Sequence, residues 1–91
     1  MGYEIERLRK KLRGIDKELI KVLAKRRRLV ITLGALKLKQ GIPIKQPEVE
    51  VHNAAFRKNV AMQSKLDTAF VRRLFHLIVA ESRKIQRKLR R

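Results

Sequence analysis

Arg26 and Lys37 carry the clearest chemical meaning in this chain. Eleven residues separate them, about three helical turns, so on one helix their Cα atoms are rotated by only about 20° from each other. Gly34 lies close by on the same stripe, which reads Ile20, Leu23, Arg27, Val30, Gly34, Lys37. Two cations on one face beside a residue without a side chain suit a pocket for a compact dianion. Near the other end of the chain, Ser82 and Gln86 are four apart and share a helical face. Ser82 interrupts an apolar stripe, as Arg26 does, and both are hydrogen-bonding groups set among aliphatic ones. Glu50 adds one carboxylate. Each residue also has a plainer role open to it. Arg26 suits an intramolecular ion pair or a side chain snorkelling to the rim. Ser82 suits a bond back to the preceding helical turn, and Glu50 a favourable charge near a helix N-terminus.

Several classes of chemistry lack their residues. There is no cysteine, so a disulfide frame and thiolate metal ligation are excluded. His52 follows Glu48 by four residues and His76 lies beside Arg72, Arg73 and Leu77, and the two histidines do not have metal-ligand spacing. No nucleophile–base–acid set and no glycine-rich phosphate loop occur. An enzyme built from these residues works by positioning and fixed electrostatics.

The elements that hold these side chains are helices. Ile5, Leu8, Leu12, Ile15, Leu19, Val22, Arg26, Leu29, Leu33 and Leu36 recur at steps of three and four, the pattern of a helix burying one stripe against partner helices. All but Arg26 are aliphatic. A guanidinium on such a stripe costs several kcal/mol, of order 3, unless an anion meets it. The pattern predicts a first helix from about residue 4 to about residue 39, ended by Gly41 and Pro43. Its length is on the order of 50 Å, whereas a compact globule of this chain length has a radius of gyration of about 12 Å. The remaining residues cannot cover such a helix, and a second copy of the chain is the simplest source of the missing surface. Pro47 suits the first turn of a second helix, which runs to about residue 62 with a weak apolar pattern of Val51, Ala54, Ala55, Phe56 and Val60. Asp67 is the expected N-cap of a third helix reaching close to the C-terminus, with the stripe Val71, Phe75, Ile78, Ser82, Ile85, Leu89. The basic tail from Arg87 to Arg91 complements the dipole at that helix's end.

The 91 residues make one domain, 1–91, with a modest core. Twenty-five Lys and Arg against eight Asp and Glu give a formal charge of +17, which favours anionic partners. No apolar run approaches the roughly 18 residues of a spanning helix, and the opening MGYEIERLRKK lacks a secretory signal. The expectation is a cytoplasmic protein with no membrane partner.

Taken together, Leu8-Arg9 through Ile15-Asp16, Leu23-Ala24-Lys25-Arg26-Arg27, Gly34-Ala35-Leu36-Lys37, Gly41-Ile42-Pro43-Ile44, Glu50, and Leu74-Phe75 with Ile78, Ser82 and Gln86 resemble the all-helical chorismate mutase family. The match runs through essentially the whole chain in order. It implies an all-α fold of three helices per chain, with a very long first helix, intertwined as a homodimer. It implies conversion of chorismate to prephenate without a cofactor or metal. By the same resemblance, Arg26 binds a substrate carboxylate and Arg9 reaches the pocket from the other chain. Lys37 and Gln86 donate to the ether oxygen, Glu50 and the backbone at Gln46 hold the substrate hydroxyl, and Ser82 binds a carboxylate.

Two positions depart from the family pattern. Gln46 stands where Asp is frequent, which implies a weaker N-cap. Val49 stands where Arg is frequent, which removes a cation that Lys45 or the general basicity would replace. Isochorismate-pyruvate lyases share the fold; Glu50 favours the mutase over them. A basic helical module for nucleic acid is the other alternative, suggested by Lys25 to Arg28 and the net charge. The seam position of Arg26 and the scarcity of aromatics for base stacking argue against specific nucleic-acid binding.

Overall fold

The computed structural model describes residues 2–91 and consists of three helices in chain order: α1 (Gly2–Gln40), α2 (Pro47–Gln63) and α3 (Thr68–Lys88). Local chemistry explains each boundary. Gly41 has φ +71°, a left-handed conformation that glycine adopts without the Cβ penalty. With it, the Ile42 N–H reaches the Lys37 carbonyl at 2.8 Å and the Gly41 N–H reaches the Leu38 carbonyl at 3.3 Å. These two bonds close the helix in a Schellman motif. Pro47 opens α2 after Gln46, whose side chain makes no capping hydrogen bond. Its carbonyl still accepts the Glu50 N–H at 3.1 Å. Asp67 caps α3 by accepting the Ala69 N–H at 3.1 Å.

Helix α3 is the centre of the chain. It packs against both α1 and α2, which do not approach one another directly. Val71 is buried on α3, with Phe75, Ile78, Ser82 and Ile85 half-buried along the predicted stripe. The inward face of α2 is different from the expected one. Val51, Ala54, Ala55, Phe56 and Val60 are exposed, whereas Glu50, Asn53, Arg57 and Ala61 turn inward. Those four recur at steps of three, four and four, so the face is helical in period but polar in character. Apolar periodicity in α2 is weak because polar side chains occupy its buried side.

Helix α1 meets α3 through Val30 and Gly34, its two buried residues. An added Cβ at Gly34 would lie 2.8 Å from Gln86 Cγ and 2.9 Å from Leu89 Cδ1. The glycine therefore sets how closely the two helices approach. The long apolar seam is not covered within the chain. Ile5, Leu8, Leu12, Ile15, Leu19 and Val22 are each more than half exposed, and every residue from 2 to 25 is exposed. The molecule measures 59 × 26 × 15 Å with a radius of gyration of 16.9 Å. Its accessible surface is 8019 Å², roughly 2,500 Å² more than a compact monomer of this mass exposes. No helix among the described residues is long and apolar enough to cross a membrane.

A basic groove as candidate active site

A groove of about 610 Å³ lies between the C-terminal part of α1 and the inward faces of α2 and α3. Six cations line it: Arg26, Lys37, Arg57, Lys58, Arg72 and Arg83. Glu50 is the one carboxylate among its walls. Of the residues singled out from the sequence, Arg26, Lys37, Gln46, Glu50, Ser82 and Gln86 all border this groove. Arg9 does not. It is exposed and paired with Glu6 at 2.6 Å on the N-terminal part of α1, about 25 Å along the helix axis from Arg26.

The side chains are held by one another and by helix carbonyls. Arg26 Nη1 donates to Ser82 Oγ at 2.5 Å. Ser82 Oγ in turn donates to the Ile78 carbonyl at 2.9 Å. The serine thus bonds back to its own helix, the plainer role open to it, and anchors the arginine at once. A guanidinium has five N–H donors, and this contact uses one. Lys37 Nζ donates to the Ile44 carbonyl at 2.9 Å, which leaves two ammonium hydrogens. Gln86 is 5% exposed, and its Nε2 donates to the Val30 carbonyl at 3.1 Å. One amide hydrogen is used there, and the second is left for another acceptor.

Burial, with the charge of Arg57 added, pulls the Arg26 guanidinium below its ordinary pKa. Burial, with Arg90 added, lowers that of Lys37. Both shifts record positive charge held partly away from water without a matching anion. Arg90 also donates to the Ile42 carbonyl at 2.6 Å. The basic tail therefore clasps the α1–α2 loop, beyond the dipole effect expected of it.

Four groove cations were not singled out from the sequence: Arg57, Lys58, Arg72 and Arg83. Arg83 forms an ion pair with Glu50, so the groove's carboxylate is already neutralised. Arg57 places its Cζ 4.7 Å from the centre of the Phe75 ring. The available signal was helical phase, since Arg57 follows Glu50 by seven residues and shares its face. Lys45, expected to stand in for a cation at Val49, is exposed and outside the groove lining.

A three-helix chain whose half-buried cations converge on a groove with its one acid already paired is, in class, an all-helical protein with a basic groove. Comparison with known proteins narrows the class. Residues 8–87 match the family described as chorismate mutase type II, and the chain belongs to that family. It is 36% identical over 81 residues to a bifunctional chorismate mutase/prephenate dehydratase of Buchnera aphidicola subsp. Schizaphis graminum, covering 89% of this chain and 21% of that protein. It is 39% identical over 61 residues to a T-protein of Enterobacter agglomerans, covering 67% of this chain and 16% of that protein. The chain thus spans about a fifth or less of the length of these relatives.

Proposed function

We propose that the groove binds chorismate and rearranges it to prephenate. The observation that carries this reading is the convergence of Arg26, Lys37, Ser82 and Gln86 on one groove in a chain of this family. The substrate is a dianion. Its rearrangement breaks an ether C–O bond as a C–C bond forms within the same molecule. No atom enters or leaves, so the protein's task is to hold the folded conformer and to stabilise developing charge. Arg26, braced by Ser82, clamps a carboxylate. Lys37 and Gln86 offer their remaining N–H groups to the ether oxygen, which gains negative charge as its bond to carbon lengthens. Donors aimed there favour the transition state over the substrate. Glu50 and the backbone at Gln46 receive the substrate hydroxyl, with Arg83 holding the Glu50 carboxylate in place. The purified chain is expected to consume chorismate and accumulate prephenate. Absence of turnover by the folded chain would remove this reading.

The same proposal makes the working form a homodimer. The bare seam of α1 and the excess accessible surface match what a large obligate interface hides, about 2,000 Å² or more in total. A second copy also supplies what one chain's groove lacks, because Arg9 reaches a groove only from the partner's α1. Light scattering is expected to return twice the chain mass of 10.7 kDa at micromolar concentration. A stable folded monomer there contradicts the shared site. A cytoplasmic setting accords with this reading.

A further inference from the structure

Among the described residues, Arg57 is the half-buried groove cation whose side chain makes neither a hydrogen bond nor an ion pair. It is half-buried on the inward face of α2, and burial lowers its pKa. Among the described residues, the ion pairs are Arg9 with Glu6 and Arg83 with Glu50, so no carboxylate meets Arg57. Arg57 and Arg26 line the same groove, and the charge of Arg57 adds to burial in lowering the Arg26 pKa. That arrangement is unfavourable in a partly desolvated site. The stack on Phe75 explains how it is held. A ring face binds the flat of a guanidinium by cation–π attraction and consumes none of its N–H donors, which lie in the plane and point outward from its edge. Phe75 therefore positions Arg57 while keeping its fork open for a carboxylate.

We propose that Arg57 and Arg26 share one substrate carboxylate, making Arg57 a binding and specificity residue of the groove. The inference rests on the reading of the groove as the chorismate site. A carboxylate between the two guanidinium groups replaces their mutual repulsion with charge-assisted hydrogen bonds on both sides. Because this contact exists equally in substrate and transition state, its removal weakens binding more than it slows the chemical step.

Steady-state kinetics of the full chain with chorismate test the proposal. Arg57→Met keeps an unbranched stem against Phe75 and removes the charge. Its KM is expected to rise about tenfold or more, with kcat within about threefold of the parent, as expected for loss of a hydrogen bond to a charged group. Arg57→Lys keeps the charge and loses the planar fork, so its KM falls between the two. Adding Val49→Arg to Arg57→Met returns a cation to the same groove wall and is expected to recover part of the lost affinity. A prop for Phe75 would lower the melting temperature without moving KM. An Arg57→Met KM within twofold of the parent, or a fall in kcat alone, overturns the proposal. If Arg57→Met does not fold, an unchanged KM in Arg57→Lys overturns it equally. A folded parent without turnover removes the functional reading and this inference with it, whereas an active parent with an insensitive Arg57→Met removes this inference alone.

Discussion

Arg26→Ala is expected to lower kcat/KM for chorismate by roughly a hundredfold or more, the scale set by loss of one oriented donor at about 3 kcal/mol. The helical content should survive. Arg26 is half-buried and its one side-chain partner is Ser82, which keeps its bond to the Ile78 carbonyl when the guanidinium is removed. Circular dichroism and turnover, measured on the same sample, separate loss of function from loss of fold. Activity within twofold of the parent would make Arg26 a structural residue. The companion variant is Arg9→Ala, whose side chain lies far from its own groove. If a groove draws Arg9 from the second chain, both single variants are inactive as homodimers. Mixing them, with subunit exchange demonstrated, should then restore part of the activity. Each mixed dimer places both substitutions in one groove and leaves the other groove intact. No recovery after exchange argues against a shared site.

The second large effect is expected at Gln86. Its amide is buried, donates to the Val30 carbonyl and has one hydrogen left for the ether oxygen. In Gln86→Glu, an ionised carboxylate only accepts hydrogen bonds. It would face the Val30 carbonyl with no proton to give, and it would repel the charge developing on the substrate. Protonated, it regains a donor of nearly the same shape. Activity of the variant relative to the parent should therefore rise as pH falls, across the range in which both remain folded. The reference glutamate pKa is about 4.3; burial raises it and Arg26 and Lys37 lower it. A variant-to-parent ratio that stays flat from about pH 8 to about pH 4 would take Gln86 out of the mechanism.

Helix ends were legible in the sequence because their signals are local. Gly41, Pro47 and Asp67 each act through their own backbone or an adjacent N–H, and all three stand at the boundaries they imply. The α3 stripe was legible for a related reason, since one helix face packs against the rest of its own chain. The partner of an apolar face is not a local property. Periodicity identified ten residues on α1 as a seam, yet the α1 residues buried within the chain are Val30 and Gly34 on the neighbouring stripe, with Arg26 of the seam bonding to Ser82 of α3. The residues bordering the groove were legible where a polar group interrupts an apolar run, as at Arg26 and Ser82. Arg57 and Arg83 were missed because a cation is unremarked in a chain with 25 of them. Their meaning comes from Phe75 and Glu50, which only the packing of α2 on α3 brings beside them.

The bare N-terminal half of α1 also bears on how quickly the protein forms. Residues 2–25 have no buried side chain of their own chain to condense upon, and an isolated helix in water is marginal even when its sequence is favourable. In the paired arrangement, that segment gains its packing only when two chains meet. Refolding from denaturant then includes a second-order step, in which the encounter of chains and not the search within one limits the rate. Halving the chain concentration doubles the half-time of that phase, and the like charge of two strongly basic chains slows it further at low ionic strength.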